Sequence, residues 1–203
     1  DEVFEYKITL SDKSIESLKK EPKLFTKATF EHKNIKLENV GIRLKGFLGS
    51  FRPFDGQNKN GFTVKFNAFK KGQRFKGLNK IQLNNAAQDS TYLRERLGYS
   101  LFREAGLPAP RVGHATVLIN GEPFGLYVQV EASTENFLNR WFEDSSGDLY
   151  EGPTDITNWK NLDLDSDPKK AERGLLIGFA DAANKAKEMN NLTYLKDWID
   201  LGH

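Results

Sequence analysis

The sequence predicts an α+β fold: a curved antiparallel sheet with one helix crossing it, followed by C-terminal helices. Three observations carry that expectation. Apolar and polar residues alternate in short runs as far as Glu131, as in Val40, Ile42 and Leu44 or Phe62, Val64 and Phe66. A helical period interrupts these runs between about Asp89 and Ala105. Beyond Glu131 the alternation gives way to helix-forming stretches.

Val3–Leu10 alternates as a strand, and Ser11 or Asp12 caps a short helix over Ser14–Lys20 that Pro22 closes. Ala28–His32 and Ile35–Gly46 read as a hairpin about Lys33-Asn34. A long polar loop, Phe47–Asn60, leads to a strand at Gly61–Asn67, a basic turn at Lys70–Lys76 and a strand at Leu78–Leu83. In the helix that follows, Asp89 accepts from the open N–H groups of the first turn, Gly106 suits a left-handed stop, and Pro108 and Pro110 forbid continuation. Val112–Ile119 and Pro123–Val130 flank Asn120-Gly121, two residues that tolerate the positive φ of a tight hairpin turn.

Ser133 or Thr134 caps a helix through Phe142, Gly147–Gly152 holds a short strand, and Thr154–Asp167 is an acidic loop. Asp167 as cap and Pro168 as first residue start a long helix to about Met189. Asn191 opens another over Leu192–Leu201, whose face of Leu192, Leu195, Trp198 and Ile199 needs a surface to pack on, so a trimmed chain end is expected at His203. Two domains result: residues 1–152, strand-rich with the crossing helix, and residues 153–203, the acidic loop and helices.

The crossing helix contains an anomaly. With Leu93 at zero and steps of about 100°, Leu97, Leu101, Ala105, Gly98 and Phe102 share one arc, and Arg94 falls inside it. A guanidinium there needs partners. Two readings stand: it pairs with a core carboxylate and ties helix to sheet, or it points into a cleft to hold an anion or orient a carboxylate.

Composition removes several function classes. A chain of 203 residues, 38% hydrophobic and 29% charged, can bury a sizeable core. Its net charge of +2 supports no nucleic-acid partner. No apolar run approaches the roughly 20 residues that span a bilayer, and no basic-then-apolar leader opens the chain. The lack of cysteine excludes thiol catalysis, disulfides and cysteine-bound zinc, and fits an extracellular bacterial protein. His32, His114 and His203 have no metal-ligand spacing, and no GxSxG is present. Asp163, Asp165 and Asp167 imitate the start of a calcium loop, but Pro168 and Gly174 stand where such a loop requires Gly and Glu.

An ordered set of motifs is more specific than any of these features. Val40-Gly-Ile-Arg-Leu-Lys-Gly46, Gly61-Phe-Thr-Val-Lys-Phe66, Gly77-Leu-Asn-Lys-Ile-Gln-Leu-Asn-Asn85, Asp89–Phe102, Gly106-Leu-Pro-Ala-Pro110, Gly125–Glu131 and Gly147-Asp-Leu-Tyr150 resemble, in order, the CotH family of atypical kinases. The resemblance implies a kinase-like N-terminal lobe, ATP and Mg²⁺ as cofactors, a secreted protein as phosphoacceptor and a secreted or cell-surface location. It also implies metal-holding aspartates in a later segment, around an Asn/Asp stretch and a Pro-Trp-Asp-x-Asp-like motif. Neither occurs up to His203, so the chain on its own is expected to be inactive.

The residues that remain suggest a nucleotide cradle. Arg43 and Lys45 on one strand and Lys65 on another are candidate phosphate-facing cations, joined by Arg94. Asn84 either bridges loop backbone groups or touches ligand. Glu131 caps the next helix, pairs with Arg94 or Lys65, or sits near the base. Tyr150 either stacks on an adenine or packs in the core. The alternative reading is a non-catalytic extracellular module that binds protein or glycan through Phe47, Phe51 and Phe54.

Overall fold

The computed structural model describes residues 2–152, 155–164 and 173–199. The predicted helix start at Asp167-Pro168, the acidic positions Asp165 and Asp167, the helix end at Leu201 and His203 lie outside them. The chain forms two compact units, Asp1–Trp141 and Phe142–His203.

The first unit is built on seven strands, β1 (Val3–Thr9), β2 (Thr26–His32), β3 (Ile35–Lys45), β4 (Gly61–Lys65), β5 (Lys80–Asn84), β6 (Val112–Ile119) and β7 (Glu122–Glu131). They close into a barrel in the order β1-β2-β3-β4-β5-β7-β6. All neighbours are antiparallel except β1 and β6, which run parallel from Val3 opposite His114 to Ile8 opposite Ile119. The open curved sheet expected from the sequence, with a helix crossing it as in a kinase N-terminal lobe, is therefore corrected: the sheet's two edges pair with each other. The physical reason is that parallel pairing of distant segments uses no tight turn, so no local residue signal marks it.

Alternation decides which side chains fill the barrel. Val40, Ile42 and Leu44 of β3 face Val64 and Phe62 of β4 and Ile81 and Leu83 of β5 in matching rows, all buried. Tyr6, Phe30, Phe66 and Tyr127 complete the interior, and each such side chain contributes roughly 1.5–3 kcal/mol by leaving water. Burial pushes the Tyr6 phenol above its ordinary pKa, and its hydroxyl donates to Gln129 Oε1. Helix α1 (Asp12–Lys20), capped by the Ser11 hydroxyl at 3.2 Å from the Ser14 N–H, places Leu18 in the same core.

Helix α2 (Arg94–Glu104) departs from the expectation in two ways. It begins at Arg94 rather than Asp89, because Tyr92 has φ 59° and the Asp89 carboxylate gathers Thr91 N–H, the Thr91 hydroxyl and Arg94 N–H into a turn. It is also inverted. The apolar arc that should face the sheet faces outward, with Leu97 64% and Leu101 68% exposed, while Glu95, Tyr99 and Ser100 are partly covered. Leu101→Gln is accordingly expected to change stability by less than about 0.5 kcal/mol in urea denaturation, against the 2–5 kcal/mol lost when a core leucine is truncated.

Outside the barrel, Gly41 marks a close approach. A Cβ there would sit 2.5 Å from the Ala68 Cβ and 3.0 Å from the Phe25 ring. Gly41→Ala should cost about 1–3 kcal/mol by forcing β3 away from both, measured as a lowered urea midpoint. Helix α3 (Glu135–Trp141) ends this unit.

In the second unit, β8 (Tyr150–Glu151) pairs with β9 (Asp163–Leu164), Ile156–Asn161 form a 3₁₀ turn, and α4 (Gly174–Glu188) is the main helix. Leu192–Leu195 form a 3₁₀ turn rather than the start of a full helix, and Trp198 stacks on Phe179 of α4 at 6.0 Å.

Candidate functional site

The barrel fold brings the end of β3, the start of β4 and the end of β5 to one rim beside Val128 of β7, and a cleft of about 350 Å³ opens there. Lys45, Asn84 and Val128 form its floor, the Gly46–Ser50 turn and the segment from Asn85 to Asp89 its sides, and Arg94 and Glu95 its helical wall. The volume lies at the lower end of the range of small-molecule pockets, about 300–1,000 Å³.

One hydrogen-bonded line organises the cleft. Lys45 Nζ donates to Asn84 Oδ1 at 2.6 Å and to Gln82 Oε1 at 2.9 Å. Asn84 Nδ2 donates to both Glu95 carboxylate oxygens, at 2.6 and 2.9 Å. Ammonium can only donate and carboxylate only accept, so the amide between them has a single workable orientation. The strand asparagine thus connects a cation on β3 to a carboxylate in the first turn of α2, where an anion also suits the helix dipole.

Arg94, beside Glu95 on the helical wall, is 75% exposed, with Nη1 donating to the Gln88 carbonyl at 2.9 Å and Nε 3.7 Å from Asp89. The Thr91 hydroxyl and the backbone N–H groups of Arg94 and Thr91 hold the Asp89 carboxyl below the usual range. The Gly46 turn is fixed by Gly46 itself: φ is 116°, and a Cβ would meet the Phe51 nitrogen at 2.8 Å. Asn85, beside Asn84, is the residue that bridges loop backbone, donating to the Ser50 and Lys59 carbonyls at 2.9 Å each.

Of the residues singled out from the sequence, the cleft gathers Lys45, Asn84 and Arg94. Arg43 projects one outward row further along β3, with its guanidinium 4.9 Å above the Phe25 ring. Lys65 pairs with Gly41 while Lys45 pairs with Gly61, so about 13 Å of strand separates the two lysines. Glu131 lies at the inner end of β7, where it accepts from Arg111 N and Nη2 at 3.0 Å each and from Arg140 Nη2. Its partners are therefore neither Arg94 nor Lys65. Tyr150 belongs to the second unit, its hydroxyl 3.2 Å from Asp148 Oδ2, and burial followed by that contact raises its pKa. Phe51 lies under the Lys23 ammonium and Phe54 stacks on Phe124, which leaves Phe47 and Leu48 as the outward residues of that loop. Glu95 and Gln82 enter the site without having been singled out.

Comparison with known proteins now gives this arrangement a setting. The family model described as CotH kinase protein matches residues 42–201, a span that includes every residue of the cleft. The chain belongs to the CotH family. Among curated CotH relatives, the inner spore coat protein H of Bacillus subtilis (strain 168) is 31% identical over 71 residues, 35% of this chain and 20% of the relative. The inner spore coat protein H-like protein of the same organism is 34% identical over 55 residues, 27% of this chain and 18% of the relative. The chain thus aligns with about a fifth of these CotH proteins' length. No helix among the described residues is long and apolar enough to cross a membrane.

Proposed function

We propose that the cleft binds the phosphate chain of a nucleoside triphosphate, ATP by preference, and that this CotH chain is the nucleotide-holding part of a phosphotransferase acting on a protein hydroxyl. The observation that carries the reading is the Lys45–Asn84–Glu95 line. It presents an ammonium at the cleft floor with its position fixed from two sides, and Arg94 offers a second cation from the wall. Phosphoryl transfer asks the protein chiefly for such placed positive charge. The names of the relatives, inner spore coat protein H and its H-like counterpart, support a spore coat or other cell surface as the setting of the proposed substrate.

Mg²⁺ supplies charge neutralisation on the phosphates when bound. Among the described residues no three His, Cys, Asp or Glu side chains are grouped to hold a metal, so these residues do not form a Mg²⁺ cage. What they do is bind and orient: Lys45 and Arg94 take phosphate oxygens, Asn84 holds Lys45 in line, and the Gly46 turn lets backbone approach the ligand. Differential scanning with Mg-ATP tests the reading. At a hundredfold excess over Kd the midpoint should rise by about 5–10 °C. An unchanged midpoint with ATP, ADP and inorganic triphosphate ends it.

A further inference from the structure

The outward face of β2–β5 carries a concentration of positive charge that the cleft does not account for. Besides Lys45, which the cleft uses, the outward positions from Gly41 onward on β3 and those of β4 and β5 hold Arg43, Lys65 and Lys80 among glycine, threonine, glutamine and asparagine, while the carboxylates of this face, Glu31 and Glu38, lie toward the turn that joins β2 to β3. Lys27 extends the same row onto β2, opposite Gly41, which in turn faces Lys65. Lys65 stands directly opposite Lys80, a cross-strand position in which like charges repel. Neither Lys27 nor Lys65 makes an ion pair among the described residues, although Lys7, Lys33 and Lys36 elsewhere on the barrel each have a glutamate.

Lys23 and Arg43 form a second crowded pair at the edge of this face. The Arg43 guanidinium donates to the Lys23 carbonyl at 3.4 Å, and its buried Nε has no hydrogen-bond partner. Burial, and then the Arg43 charge, push the Lys23 ammonium below its ordinary pKa. Cations held together in this way create an electrostatic demand for an anion.

We infer that this face is a docking surface for an acidic polypeptide segment, lying beside the cleft and bound through Lys27, Arg43 and Lys65. The aromatic residues discriminate between polyanions. Single-stranded nucleic acid gains much of its affinity by stacking bases on open aromatic faces. Here Phe51, Phe25 and Phe69 already carry Lys23, Arg43 and Lys27 over their rings, at 4.8, 4.9 and 5.7 Å. Each ring fixes a cation in place and offers no base platform on that side. Exposed Leu24 and the partly open Phe69 suit the apolar side chains of a peptide, and the net charge of +2 is too small for nonspecific nucleic-acid binding. The inference stands apart from the nucleotide reading, since it uses a neighbouring face.

Fluorescence anisotropy of the whole chain tests it without nucleotide, with a labelled oligoglutamate peptide, an oligolysine of equal length and an oligothymidylate. Oligoglutamate should bind, more weakly as salt is raised, while oligolysine does not. Lys27→Ser combined with Lys65→Ser should weaken binding about tenfold, the effect of two exposed ion pairs. Both side chains are exposed, and an unchanged melting curve confirms that the variant is folded. Lys7→Ser combined with Lys33→Ser, which removes lysines already facing glutamates, should leave affinity unchanged. Oligoglutamate that fails to bind, or that binds the Lys27/Lys65 variant as well as the parent, overturns the proposal. So does oligothymidylate binding that is tighter than oligoglutamate and lost in the same variant.

Discussion

Lys45→Ala will weaken Mg-ATP binding by about tenfold to a hundredfold, because a charge-assisted contact to phosphate is worth about 1.5–3 kcal/mol. The lysine sits at the cleft floor, held by Asn84 and Gln82 at 2.6 and 2.9 Å, so its ammonium is placed before ligand arrives. Asn84→Leu leaves the cation in the molecule but removes its link to Glu95, and should give a smaller loss through misplacement alone. Glu95→Gln keeps a hydrogen-bond acceptor and removes the charge, so its effect should be smaller again. Calorimetric titration of the parent and the three variants orders these effects. Equal affinity across the set would mean that the cleft is not where nucleotide binds.

Glu131→Ala will destabilise the first unit by about 2–3 kcal/mol, read from urea denaturation. The carboxylate is 3% exposed at the barrel end and receives donors from Arg111 and Arg140. Removing one partner of a buried ion pair ordinarily costs about 3–5 kcal/mol, since the other charge is left stranded in a poor solvent. Here the arginines are 59% and 27% exposed and can turn to water, which lowers the expected loss. Glu131→Gln, which retains an acceptor oxygen, should lie between the parent and the alanine variant. A loss below about 0.5 kcal/mol for alanine would show that the arginines rehydrate completely.

How much of this was legible in the sequence depends on the range of the interaction that decides each feature. The hairpin about Asn120-Gly121 and the inward rows of β3 and β4 follow from turn chemistry and period-two alternation, both local. Closure of the barrel is decided by residues more than a hundred positions apart and has no such mark. The orientation of α2 is a different kind of miss. Its hydrophobic arc is plain from the wheel, but Asn84 offers amide hydrogens to Glu95, and that polar contact helps hold the opposite arc against the rim. Glu95 lies about 200° from Leu93 on the wheel, among positions that a periodicity argument assigns to solvent. Lys45 is visible as an outward strand residue, whereas Asn84 falls just past the strand expected over Leu78–Leu83 and reads as a loop-bridging or ligand-touching residue. Alternation gives the face of a strand residue but not its distance along the strand, which is why Lys65 shares the face of Lys45 without reaching the cleft.

The parallel seam between β1 and β6 also sets a schedule for biosynthesis. β1 leaves the ribosome before the other strands of the barrel, yet its second neighbour, ending at Ile119, is made far later. Until then β1 has only β2 beside it, and one of its edges remains open to other nascent chains. Long-range partners of this kind slow folding and lengthen the exposure of such edges, so the moment of greatest vulnerability comes during synthesis rather than after it.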